Sequence, residues 1–268
     1  MSENTQFKVE IIEHVAWLTL NRPEKRNTMG TVFFKELSEH LENFDQDASV
    51  RVVVIKAEGK SFTAGTDLEE AGSLLSGQAA DQRETTRRNI RQLQEGITSI
   101  ERCCKPVIAA VHSHCIGGGI DLISACDIRL ATTDAVFSIR ETPMGIIADL
   151  GTLQRLPFII GHGWFRELAL TGRNFSAQEA LQMGLITRIC ADREALYAEA
   201  RKLADRIAAC PPLTVQGTKQ VILYSRDNGI DAGLQYVAQK NAAALPSEDV
   251  VEAVTAFMEK RKPVFKGK

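Results

Sequence analysis

Short, wholly apolar runs alternate with longer amphipathic stretches through the first half of the chain, and helical spacing dominates the second half. Val52-Val53-Val54-Ile55 has no polar position, the pattern of a strand buried on both faces. Pro106 to His112 (PVIAAVH) reads the same way. Val9 to Leu20 contains two β-type runs around a polar break at Glu13-His14. Thr31 to Asp45 places Val32, Phe33, Leu37, Leu41 and Phe44 at helical spacing. Glu84 to Arg102 predicts a long helix and Ile120 to Ala125 a short one. Short strands are expected at Ile128 to Ala131 and Ala135 to Ile139.

From about Gly151 the pattern is mostly helical. Ser176 with Glu179 three residues on is a capping-box signature, and Gly184 would end that helix. Further helices are expected at Arg193 to Ala209, Pro212 to Asp227, Ala232 to Ala243 and Ser247 to Arg261. Strand–helix alternation followed by helices argues for an α/β core with a helical C-terminal part. No internal repeat or low-complexity linker divides the 268 residues. The division expected is a core over 1–200 that holds the site and a helical region over 201–268.

Composition narrows the class without naming a chemistry. Hydrophobic residues make up 44% and charged residues 25%, ordinary for a globular protein. A net charge of −2 argues against a broad basic footprint for nucleic acid. None of the six cysteines sits in a C-x-x-C pair, so reduced and mostly buried thiols are expected. The five histidines form no metal-binding pattern, and no metal or redox cofactor is expected. No apolar run reaches membrane-spanning length. Met1 to Lys8 is polar, without the apolar core of a signal peptide, and Phe265-Lys266-Gly267-Lys268 is not a peroxisomal address. The cytoplasm is therefore the expected compartment.

Two loops carry the chemical information: Ser61-Phe62-Thr63-Ala64-Gly65-Thr66-Asp67-Leu68 and Cys115-Ile116-Gly117-Gly118-Gly119-Ile120-Asp121. Each leaves the carboxyl end of a predicted strand, where open α/β sheets bind ligands. Three glycines opening a helix permit close backbone approach and leave N–H groups free at the positive end of the helix dipole. Such groups can hold a phosphate or an anion formed during reaction. Close packing of helix on strand explains a glycine run equally well. The run is neither a P-loop nor a dinucleotide fingerprint.

Together, S-F-T-A-G-T-D-L, the K-P-V-I-A-A-V-H strand and C-I-G-G-G resemble the enoyl-CoA hydratase/isomerase (crotonase) family. The resemblance runs on through Cys126-Asp127-Ile128-Arg129, Glu141 to Pro157, Leu170-Thr171-Gly172, Ala180 to Ile186 and Ala256 to Phe265. It implies a spiral of ββα units with a C-terminal helical region used in trimer contacts, in homotrimers or homohexamers. It implies an acyl-CoA thioester substrate, with CoA as part of the substrate and no separate cofactor. The implied oxyanion hole is the pair of backbone amides of Thr66 and Gly118. Lys25, Arg26, Ala64, Gly65, Asp67 and Leu68 would lie along the CoA moiety, with Lys262 and Phe265 contributed by a neighbouring subunit. A mobile cover over the acyl pocket is expected at Gly72 to Gln82.

Three acids fall in the segments where this family carries its reaction type: Asp121, Glu141 and Asp149. An acid in the apolar stretch Gly145 to Gly151 is costly unless paired or neutral, and burial raises its pKa toward the range useful for proton transfer. As ordinary structure, Asp149 would cap the following helix, Asp121 would favour a helix dipole and Glu141 would sit in a surface turn. Hydratases of the family place two glutamates at the positions held here by Asp121 and Glu141. The shorter Asp121 departs from that pair. The Asp, Glu, Asp set resembles Δ3,5-Δ2,4-dienoyl-CoA isomerases of fatty-acid β-oxidation, in which Glu141 and Asp149 would be base and acid and Asp121 would position or tune them. The alternatives are a 2-enoyl-CoA hydratase using Asp121 and Glu141, and a non-catalytic binding protein on the same fold.

Overall fold

The computed structural model describes residues 5–70 and 79–268. The expected cover at Gly72 to Gln82 lies largely outside them. Strands β1 (Phe7–Ile12) and β2 (Val15–Leu20) pair antiparallel across the Glu13-His14 break. After helix α1 (Thr31–Gln46) comes β3 (Val52–Ala57), then helix α2 (Ala80–Arg102) and β4 (Val107–Val111). The short β5 (His114–Ile116) leads into α3 (Gly118–Ala125), followed by β6 (Ile128–Thr132) and β7 (Val136–Ser138). Strands β2, β3, β4 and β6 run parallel in one sheet, with β1 at one edge and β9 (Arg188–Cys190) at the other. A second, small sheet holds β5, β7 and β8 (Phe175–Ser176). The segments β4–β5 and β6–β7 thus each contribute one strand to each sheet.

The apolar runs have a direct cause. Val53, Ile55, Val107, Ala109 and Val111 face the main core, while Val52, Val54, Ile108 and Ala110 face the opposite side of the same strands. That second face is covered by α8 (Arg193–Ala208) through Leu196, Ala200, Ala204 and Ala208, and the alanines, four apart, let the helix lie close. Position 200 therefore falls inside a helix that packs on the sheet along its whole length. The helices that leave the sheet begin at α9 (Pro212–Asn228) and continue as α10 (Ile230–Ala244) and α11 (Glu248–Glu259).

Before α8, the chain forms α4 (Thr152–Arg155), α5 (Pro157–Ile160), α6 (His162–Thr171) and α7 (Ala177–Met183). The expected cap on α7 is present. Ser176 Oγ accepts from Glu179 N at 3.2 Å, Ser176 N donates to Glu179 Oε2 at 2.9 Å, and Gly184 ends the helix at φ 84°.

Helix α9 is fastened to the core by Lys219. Its buried Nζ donates to the carbonyls of Ile100 and Lys105, both at 3.0 Å, and pairs with Asp127 Oδ2 at 2.8 Å. The six cysteines are free, with Cys103, Cys115 and Cys126 buried. Among the described residues, no helix is long and apolar enough to cross a membrane.

Candidate active site

The loop after β3 is laced to its neighbours. Thr63 N donates to His114 O at 2.9 Å and Ile116 N to Thr63 O at 3.3 Å, so the loop extends the small sheet beside β5. On its other side, Met29 N donates to Gly65 O at 2.9 Å and Asp67 N to Met29 O at 3.0 Å. This lacing brings Thr66 against Gly118 at the first turn of α3. A Cβ at Gly118 would stand 3.5 Å from Thr66 N, 2.8 Å from Thr66 Oγ1 and 2.7 Å from Met29 Cε. Among the described residues, neither the Thr66 nor the Gly118 amide has an acceptor. Two unpaired N–H groups thus converge where only a glycine leaves room for a small oxygen.

The neighbouring glycines are equally constrained. Gly65 has φ +95°, and a Cβ there would press on Ile116 O at 2.7 Å. Gly117, at φ +54°, lies under Glu141: its missing Cβ would sit 3.3 Å from Glu141 Oε1.

The two amides open into a cleft of about 390 Å³, lined by Leu68, Ile90, Leu93, Ile116, Met144, Ile146 and Leu150 on its apolar side. Asp121, Glu141 and Asp149 are the carboxylates in its wall. Asp121 is 1% exposed. Burial first, and then the charge of Glu141, push its pKa up to about 7, against the bond from the Thr152 N–H at 2.6 Å that favours the ionised form. Glu141 is raised by burial and by the charge of Asp149, and among the described residues its Oε2 is buried without a hydrogen-bond partner. Asp149 is raised by burial.

The cap of the following helix does not come from Asp149. Gly151, at φ +125°, holds the N-cap position of α4, and Asp121 reaches across from α3 to take the Thr152 N–H. Asp149 does not cap α4, and it lines the cleft. Glu141 likewise lines the cleft at the start of a 3₁₀ turn (Thr142–Met144) rather than serving only as a surface turn residue.

Of the residues expected along CoA, Ala64, Gly65 and Leu68 line the cleft together with Thr66 and Gly118. Lys25 lies at the exposed end of the same loop system, 3.4 Å from Glu69, and the Arg26 carbonyl accepts from Ala64 N at 3.0 Å. Asp67 is buried and turned away from the cleft, toward Thr28 Oγ1 at 3.2 Å and Arg22 at 3.7 Å. Within one chain Lys262 and Phe265 do not line this cleft. Phe265 borders a separate groove, where Arg51 Nη2 donates to its carbonyl at 2.7 Å. Met29 and Arg140, absent from the sequence expectation, stand at the site. Met29 packs on Gly118, and Arg140, in the cleft wall, donates to Asn174 Oδ1 at 2.5 Å. Neither residue carries a local sequence signal that would single it out.

Comparison with known proteins agrees with this geometry. The enoyl-CoA hydratase/isomerase profile matches residues 10–268. A mitochondrial Delta(3,5)-Delta(2,4)-dienoyl-CoA isomerase of Dictyostelium discoideum is 44% identical over 94% of this chain and 87% of its own length. A peroxisomal enzyme of the same name from Arabidopsis thaliana is 45% identical over 92% of this chain and 91% of its own. Among solved structures, an enoyl-CoA hydratase of Bacillus anthracis superposes with a TM-score of 0.89 at 34% identity, covering 98% of this chain and all of the other. The two-sheet spiral, the paired free amides above an apolar cleft and a profile match over nearly the whole chain place this protein in the enoyl-CoA hydratase/isomerase family, with the crotonase fold.

Proposed function

We propose that the protein isomerises 3,5-dienoyl-CoA to 2,4-dienoyl-CoA, a step in the β-oxidation of unsaturated fatty acids. The observation that carries this reading is a second acidic residue, Asp149, lining the apolar cleft alongside Glu141. The names borne by relatives at 44–45% identity support it.

The reaction moves a proton from C2 to C6 of the acyl chain. The thioester oxygen accepts from the Thr66 and Gly118 amides, which stabilise the negative charge that forms there. Glu141, whose Oε1 lies over Gly117 next to that pair, takes the C2 proton. The electron pair spreads over a dienolate, and Asp149 delivers its proton to C6. The double bonds then stand at C2 and C4. The proton left on Glu141 returns to Asp149 before the next turnover. Asp121 fixes the turn that carries Asp149 through Thr152.

Hydration of 2-enoyl-CoA is disfavoured, because Asp121 is fully buried and one of its oxygens is already taken by the Thr152 amide. Lys25 and Arg26 stand where the CoA phosphates would need cations, and Ala64, Gly65 and Leu68 border the pantetheine path. Asp67 holds that loop in place. Lys262 and Phe265 serve a neighbouring subunit. Exposed Ile230, Leu234 and Phe257 on α10 and α11 support a homotrimer or a pair of trimers, which light scattering would reveal. Residence in the cytoplasm is the proposed location, and cell fractionation would decide it.

An ultraviolet assay tests the activity. Wild type should form the 2,4-dienoyl chromophore from 3,5-dienoyl-CoA, and Asp149→Asn should cut that rate about 10²–10⁴-fold, leaving a measurable residual rate. Hydration of 2-enoyl-CoA that survives Asp149→Asn would overturn the reading.

A further inference from the structure

We infer that Gln94 is a positioning residue for Asp149, holding the distal carboxylate of the cleft in place from behind. The inference rests on the proposed role of Asp149 and adds a residue that lies outside that cleft.

Asp149 sits in a segment with little intrinsic order. Among the described residues, the main-chain amides of 147–151 donate to no main-chain acceptor. The segment is instead gripped from three sides. Gln94 Nε2, on α2, donates to the Asp149 carbonyl at 2.6 Å. Arg155 Nη1 donates to the Leu150 carbonyl at 3.3 Å, and Asp121 takes the Thr152 N–H. The flanking side chains of Ala148 and Leu150 are buried, which limits sliding but does not set rotation about the Asp149 backbone. Of the three polar grips, only the Gln94 bond falls on Asp149 itself.

The segment also separates two spaces. Leu150 borders the acyl cleft on one side and, on the other, a polar cleft bordered by Gln94, Gly151 and Arg155. Behind Gln94, Arg155 Nε donates to Glu101 Oε2 at 2.9 Å and Arg226 of α9 pairs with the same carboxylate. A side chain at Gly151 would collide with the Arg155 guanidinium. The wall is therefore thin, backed by polar groups, and free of main-chain ladder bonds. In such a wall one side-chain amide decides where the carboxylate points. Misplacement of a reacting group by about 1 Å can cost about 10²-fold in rate.

The test uses Gln94→Met, which keeps length and volume but removes the donor. In the full-length protein we expect kcat for 3,5-dienoyl-CoA isomerisation to fall about 10- to 100-fold, with KM and Tm little changed. The variant is then combined with substitutions of each carboxylate. On an Asp149→Asn background, Gln94→Met should add less than about a threefold loss, because coupled residues are not additive. On a Glu141→Gln background it should again cost its full factor. Equal, multiplicative losses on both backgrounds, or unchanged kcat in the single variant, would overturn the role of Gln94. A wild-type protein that does not isomerise the dienoyl substrate would instead refute the activity on which the role rests.

Discussion

Asp121 ties the protein's stability to pH, and the sign follows from its surroundings. The carboxyl is wholly buried and its pKa stands at about 7, against an ordinary value of 3.8. A carboxyl that holds its proton more tightly in the folded state stabilises the fold fully below the unfolded value. That contribution is lost as pH rises through the folded one. At about 1.4 kcal/mol for each pH unit, the gap corresponds to about 4 kcal/mol in all, of which about 3 kcal/mol falls between pH 5 and pH 8. Asp121→Asn keeps an oxygen for the Thr152 amide and cannot ionise. Urea unfolding of wild type and variant at pH 5 and pH 8 measures the difference. Wild type should lose about 3 kcal/mol more than the variant over that interval. The variant should therefore be relatively more stable at pH 8 than at pH 5. Parallel losses in the two proteins would refute the elevated pKa, and with it the picture of Asp121 as a neutral group at acid pH beside Glu141.

Two further outcomes test the site and the frame. Gly118→Ala places a methyl group within 3.5 Å of the Thr66 amide and 2.8 Å of its hydroxyl. It should lower kcat about 10²–10³-fold, the loss typical of one oxyanion donor, while calorimetry shows the chain still folded. Lys219→Ala removes three bonds from a buried cation and leaves Asp127 without its charge partner. Chemical unfolding should show a loss of about 3 kcal/mol or more, and an unchanged midpoint would mean that α9 is held by other contacts.

The strands of the main sheet were legible because their causes are local. Val52 to Ile55 and Val107 to Val111 are apolar throughout because both faces are covered, one by the main core and the other by α8. The α7 cap was legible because Ser176, Glu179 and Gly184 complete it within nine residues. Strands β8 and β9 are two and three residues long, too short for any periodicity to register. The local sequence could not decide whether Asp149 caps the following helix or lines a site. The cap of α4 comes from Asp121, 31 positions away in sequence, and no local pattern reports a partner at that distance. Gln94 and Arg155 read as ordinary polar positions on helices until the fold sets them behind the Asp149 segment.

The chain order alone thus specifies the longer strands and helices, the glycine loops and the three acids, because backbone freedom, burial of both strand faces and side-chain charge are properties of residues and their near neighbours. Only the tertiary structure decides that the Thr66 and Gly118 amides converge. The same holds for Asp121, which is buried against Thr152 while Asp149 lines the cleft wall. These are encounters between segments tens of residues apart, set by the parallel register of β3 with β4 and of β5 with β7.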